Sequence, residues 1–147
     1  MPRDPDLYGD DTRVRSLLRE RDVWAVVGLS PNPAREAYGA ARNLQSHGKR
    51  IVPVHPMAAS VHGERGYATL ADAVFELGEI DVVDLFVNSG RVGAIVDEAI
   101  AVGAKAIWMQ LGVVDEAAAR RARAAGLDVV MDRCPTLEWP RLLPDSR

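Results

Sequence analysis

The sequence is short of several things, and each shortage closes off a class of function. It has one cysteine, Cys134, so no disulfide can form within the chain, which suits a reducing cytoplasm. No Cys or His cluster at ligand spacing occurs, and with only three histidines no metal site is expected. The net charge is −3, so the positive field of a nucleic-acid binder is missing. No uncharged apolar run approaches the ~20 residues that cross a bilayer. Residues 1–11 are polar and acidic, without the apolar core of a signal peptide. The expectation is a cytoplasmic chain without nucleic-acid or membrane partners.

What is present is an ordinary globular balance. Its 147 residues, 48% of them apolar, suffice to bury one core. Residues 1–11 read as a loose leader and 12–147 as a single domain. A first helix is expected at about 11–20, followed by an apolar run over 23–29 that fits a strand buried on both faces. Helix spacing of Ala37, Ala40, Ala41 and Leu44 predicts a helix at 34–47, and residues 51–54 form the second strand. A looped insert and a short helix at 69–77 lead to a third strand at 82–87. Ser89 is placed to cap the next helix, which carries a stripe of Val92, Ile95, Val96 and Ala99. A fourth strand at 106–111, a helix opened by Asp115 and Glu116, and a fifth strand at 129–131 complete the series. The tail then runs out through Cys134, Trp139 and Leu143. Strands alternating with helices predict an α/β fold: a Rossmann-like three-layer domain with a five-stranded parallel sheet and helices on both faces.

In such a sheet, ligands bind outside the carboxyl ends of the strands, where strand order reverses. The first strand ends in Gly28-Leu29-Ser30-Pro31-Asn32-Pro33-Ala34-Arg35. Gly28 lets backbone approach a ligand, Ser30 offers a hydroxyl, and the following helix turns free N–H groups to the crevice. Arg35, near the first helical turn, has a guanidinium that can reach a phosphate. The same Gly and Pro residues also suit a turn needing them for geometry alone. The dinucleotide fingerprint G-x-G-x-x-G is absent: Ser30 stands at the second glycine, and Pro33 and Ala34 crowd the third. The second strand ends in Pro53-Val54-His55-Pro56 instead of an acid that would grip a ribose 2′-hydroxyl, which argues against a standard NAD site.

Gly28-x-Ser30-x-x-Pro33-x-Arg35, Pro53-Val54-His55-Pro56 and Gly63-x-x-x-Tyr67-x-x-Leu70 resemble the small CoA-binding proteins. These are stand-alone relatives of the CoA-binding domain in the α subunit of succinyl-CoA synthetase. Ile107-Trp108-Met109-Gln110-Leu111-Gly112-Val113 and Val129-Val130-Met131-Asp132-Arg133-Cys134 are similar to that family's later motifs. The resemblance spans about 12–143, and its one visible departure is His55, where the family usually carries Asn. It implies that Gly28, Ser30, Pro31 and Arg35 line the CoA diphosphate and nearby phosphate. Pro53, Val54 and His55 would flank the adenosine. Val87, Arg91, Gln110 and Gly112 would face the same crevice.

No catalytic residue is assigned. The synthetase relatives work through a phosphorylated histidine, and none of His47, His55 or His62 stands in a matching context. His47 and His62 read as capping or solvated. Cys134 follows Asp132-Arg133, and a neighbouring arginine can lower a thiol pKa, but no spacing supplies a histidine base. Asp81, Asp84, Asp97 and Asp132 stand at strand and helix ends, where solvation or capping is the default. Trp108, Trp139 and Tyr67 read as packing. The expected function is therefore binding of coenzyme A or an acyl-CoA rather than catalysis. A small enzyme using NADP or a CoA thioester, and a regulatory subunit of an acyl-CoA enzyme, are the alternatives. The Ala-rich helix at 115–125 leaves a homodimer or protein partner open.

Overall fold

A computed structural model describes residues 3–144. Five apolar runs form the strands β1 (Val23–Val27), β2 (Arg50–Val54), β3 (Val82–Leu85), β4 (Ala106–Met109) and β5 (Asp128–Val130). All pair in parallel, in the order β2-β1-β3-β4-β5. Their side chains alternate between two separate cores, so the sheet is covered on both faces. Trp24, Val26 and Trp108 point to one face; Ala25, Val27 and Ile107 point to the other. This is the Rossmann-like three-layer architecture that the sequence predicts, with strand order reversing between β1 and β3.

Seven helices cover the sheet among the described residues: α1 (Pro5–Tyr8), α2 (Asp11–Glu20), α3 (Glu36–Ser46), α4 (Leu70–Leu77), α5 (Ser89–Ala101), α6 (Glu116–Ala124) and α7 (Pro135–Leu142). Apolar stripes of α2, α3 and α7 pack on the Trp24 face, and those of α1, α4, α5 and α6 on the Ala25 face. Ala118, Ala119 and Ala122 of α6 are fully buried within this chain, and their small size lets α6 lie close to the sheet. Side-chain oxygens of Asp10, Thr69 and Asp115 cap α2, α4 and α6 by accepting backbone N–H groups of the first turn.

The two ends of the chain differ from the sequence expectation. Residues 3–11, read as a leader, fold onto the domain, while Met1 and Pro2 lie outside the described residues, as do 145–147 at the other end. Leu7 and Tyr8 are buried, and the Tyr8 hydroxyl donates to Glu116 at 3.0 Å. The Arg133 guanidinium donates to the carbonyls of Tyr8 and Gly9 at 3.2 and 2.8 Å, so this arginine anchors the N-terminal segment. Tyr8→Phe should lower unfolding free energy by about 1 kcal/mol in urea denaturation, the net worth of one hydrogen bond. An unchanged midpoint and slope would mean that the segment is not part of the cooperative unit. Towards the C-terminus, the tail is the helix α7, started by Pro135 at its first turn. Trp139 and Leu142 are buried in the core of the Trp24 face, where α7 packs on α2 and α3, and the Trp139 ring stacks on His47 with centroids 3.8 Å apart.

Ser89 does not cap α5. Asn88 occupies that position without a side-chain bond, and the Ser89 hydroxyl instead accepts from the Val114 N–H at 3.0 Å. Ser89 is already the first helical residue, past the capping position, and its hydroxyl serves the β4–α6 loop instead.

Candidate functional site

β1 passes into α3 on one face of the sheet and β3 passes into α5 on the other. The loops after them diverge, and a crevice opens between them. Gly28 sits at the point of divergence with φ +97°. Its N–H donates to the Val54 carbonyl at 2.8 Å, and a Cβ on it would stand 2.4 Å from the Phe86 carbonyl oxygen. Only glycine fits this junction of three strands.

The crevice is a cleft of about 930 Å³, near the top of the usual range for small-molecule sites. It touches the ends of β2, β1, β3 and β4. The outer two of these strands are three spacings apart, about 14 Å, so the cleft is elongated. Of the residues expected at a site, Gly28, Ser30, Arg35, Val54, His55, Val87, Arg91 and Gln110 line it together. Pro31, Pro53 and Gly112 do not. Pro53 is buried in β2, where its carbonyl takes the Tyr67 N–H at 2.9 Å. Gly112 donates its N–H to Asp132 at 2.6 Å and shapes the β4–α6 turn.

The loop after β1 is ordered by its own side chains. The Ser30 hydroxyl accepts from the Asn32 N–H at 3.4 Å, and Asn32 accepts from the Ala34 N–H at 3.0 Å. This turn delays the helix, so α3 starts at Glu36 rather than near residue 34, and Arg35 becomes its N-cap. The cap makes no side-chain bond; the Tyr38 N–H donates to the Arg35 carbonyl at 3.2 Å, and the N–H groups of Glu36 and Ala37, which line the cleft, are left to a ligand. Arg91 lies in the first turn of α5. Both arginines are exposed, and among the described residues neither guanidinium forms an ion pair. Two carboxylates also line the cleft; Glu98 is held by the Ala71 N–H at 3.1 Å, and Glu36 is exposed.

At the β2 end, the backbone of residues 53–55 pairs with Tyr67, which pins the looped insert. His55 Nδ1 accepts from the Met57 N–H at 3.1 Å, so a neutral ring carries its proton on Nε2. At the β4 end, Gln110 is almost wholly buried and its amide nitrogen donates to Asp84 at 2.6 Å. Asp84, expected to be solvated or capping, is fully buried in β3 instead. Burial pushes its carboxyl up to about 7, against the opposing pull of the Gln110 amide. Sequence reasoning missed this residue, although an acid inside a strand buried on both faces has nowhere else to go. It also missed Asn32, Asn88, Thr69 and the apolar Ile95, Leu111 and Val113, which line the cleft.

The other singled-out residues lie elsewhere. His62 faces Tyr38, with Nε2 2.7 Å from its carbonyl and ring centroids 4.2 Å apart. Cys134 is half-buried at the start of α7 and is not in the cleft lining. Among the described residues no group of three His, Cys, Asp or Glu side chains could hold a metal ion, and no helix is long and apolar enough to cross a membrane.

Fold and cleft together define a doubly wound α/β domain with an elongated, arginine-flanked crevice at its strand ends. The chain belongs to the CoA binding domain family, which matches residues 22–140. A Bacillus subtilis relative, the uncharacterized protein YneT, is 30% identical over 121 residues, covering 82% of this chain and 87% of the relative. A hypothetical protein from Pyrococcus horikoshii is 35% identical in solved form, with TM-score 0.86, covering 97% of this chain and 99% of that one. A dinucleotide forming acetyl-coenzyme A synthetase of Ca. Korarchaeum cryptofilum, solved in complex with phosphate and ADP, matches at 25% identity and TM-score 0.67. There the match covers 80% of this chain but 28% of the larger protein.

Proposed function

We propose that the chain binds coenzyme A or an acyl-CoA in the cleft at the strand ends, as a binding protein rather than a catalyst. One observation carries the reading: two guanidinium groups that form no ion pair among the described residues, Arg35 and Arg91, and the N–H groups of Glu36 and Ala37 at the start of α3 converge on one elongated cleft. Phosphates are the ligand groups that such donors hold best. The dimensions suit a ligand with a nucleotide at one end and a long arm at the other. In this reading phosphates lie over the β1–α3 loop, the adenosine lies toward His55 and the arm runs toward Gln110 among Val87, Ile95 and Val113. Family membership supports the same ligand. Binding without turnover is favoured because Cys134 is outside the cleft and His55 Nδ1 is already engaged by Met57.

The test is calorimetric titration with CoA, dephospho-CoA and NADP in parallel. CoA should bind more tightly than dephospho-CoA, and Arg35→Ala should weaken CoA about tenfold, as expected for one lost charge-assisted hydrogen bond. NADP binding without CoA binding would transfer the cleft to a reductase-type ligand. Silence from all three would overturn the reading.

A further inference from the structure

Asp84 is the one aspartate of the described residues that is completely buried, and nothing in the binding reading uses it. It sits in the middle of the sheet, with Val26 of β1 and Trp108 of β4 as its register partners. One carboxylate oxygen accepts from the Gln110 amide nitrogen at 2.6 Å. The other oxygen is buried and has no hydrogen-bond partner among the described residues. Gln110 in turn lines the cleft. With its nitrogen committed to Asp84, the amide keeps its carbonyl oxygen as the group left to offer at the β4 end of the cleft, an acceptor.

A protonated Asp84 opens the reverse arrangement. Its O–H can donate to the Gln110 carbonyl oxygen, and a half-turn of the amide then presents the –NH2 group to the cleft. We propose that Asp84 is a positioning residue whose protonation state decides whether Gln110 offers the bound ligand an acceptor or a donor. The contact concerned is with the amide groups of the ligand's arm, and this rests on the coenzyme A reading above.

No other charged group is needed for the switch. The elements packed on this face carry Asp11, Arg13, Arg15, Arg19 and Glu20 on α2, Arg35, Glu36, Arg42 and His47 on α3 and its two caps, and Cys134, Glu138 and Arg141 on α7 and its start. From the cleft side come His55, Arg91 and Glu98. None of them contributes to the balance on Asp84, which is set by burial first and by the Gln110 amide second. The carboxyl, raised to about 7, changes state within the range where the protein can be handled.

Two measurements test this separately from the ligand assignment. In the ligand-free wild-type protein, the side-chain amide resonances of Gln110 should shift between pH 5 and pH 9 with the titration of Asp84, and should be static in Asp84→Asn. Calorimetry then compares both proteins at pH 6 and pH 8 with CoA and with adenosine 3′,5′-bisphosphate, which lacks the arm. The ratio of wild-type to Asp84→Asn affinity for CoA should change about fivefold between pH 6 and pH 8, the worth of one hydrogen bond, rising if the arm meets Gln110 with an N–H and falling if it does so with a carbonyl. For the bisphosphate it should stay constant. Taking the ratio removes the ligand's own phosphate titration and any contribution of His55, because both proteins share them. A static Gln110 amide in the wild-type protein, or equal pH dependence for CoA and bisphosphate, overturns the proposal. A titrating amide with no CoA binding at either pH overturns the ligand reading while supporting the Asp84–Gln110 switch.

Discussion

Gly28→Ala is expected to lower stability by about 3–5 kcal/mol and to abolish measurable CoA binding. Two independent costs add at this position. The backbone has φ +97°, which an alanine adopts only with strain. The new Cβ would also stand 2.4 Å from the Phe86 carbonyl oxygen, a main-chain atom that no rotamer change can move aside. Relief requires β1 and β3 to separate at their ends, where the Phe86 N–H donates to Val27 at 2.9 Å, and strains the neighbouring bond from the Gly28 N–H to Val54 of β2 at 2.8 Å. Those bonds form the floor of the cleft, so stability and binding should fall together. Gly39→Ala is the internal control. Gly39 lies in α3, and a methyl group there would meet nothing within 4 Å, so alanine should raise stability by about 0.5–1 kcal/mol. Thermal unfolding with CoA titration of both variants is the measurement. A Gly28→Ala protein with wild-type melting and affinity would show that the strand ends are free to part, and the cleft geometry would have to be abandoned.

The sheet is legible in the sequence because the strand interiors are apolar, broken only by Asp84 in β3, and too continuous for a half-exposed strand, and each main helix repeats its apolar residues at helical spacing. Eight of the eleven proposed ligand-facing residues meet in one cleft for a related reason: they follow strand ends, and strand ends share one edge of a parallel sheet. The three that do not line the cleft, Pro31, Pro53 and Gly112, show where that logic stops. Pro53 lies one residue too early in β2 and its side chain is interior; Gly112 lies beyond the strand end, in a turn tied to Asp132. The two terminal helices are illegible for another reason. α1 has only four residues and α7 contains Pro140, so neither shows a usable period. They are held by partners distant in sequence, Arg133 and Glu116 for the first, His47 for the second. In the sequence Arg133 reads as a neighbour of Cys134, whereas its guanidinium is engaged with the carbonyls of Tyr8 and Gly9.

Asp84→Asn should change the pH dependence of stability in a direction opposite to that of most buried-acid substitutions involving salt bridges. The folded-state carboxyl is raised from 3.8 to about 7, with burial as the main cause. Between those two values the unfolded chain has released the proton while the folded chain still holds it. Stability therefore falls as pH rises through this window, and levels off once the folded carboxyl is ionised near the upper value. Across pH 5 to pH 8 the wild-type protein should lose about 2–3 kcal/mol relative to Asp84→Asn, since every pH unit spent inside the window costs ~1.4 kcal/mol. For a chain of this size that corresponds to a relative change in Tm of roughly 5–10 °C. The asparagine cannot ionise, but it leaves a buried polar atom unpaired just as Asp84 does. The two proteins should thus be close in stability at pH 5, and the variant should be the more stable at pH 8. Parallel stability curves over this range would mean that the folded protein ionises Asp84 as readily as the unfolded chain does. The carboxylate would then need a second donor, and the orphaned oxygen beneath Gln110 would not exist as such in solution.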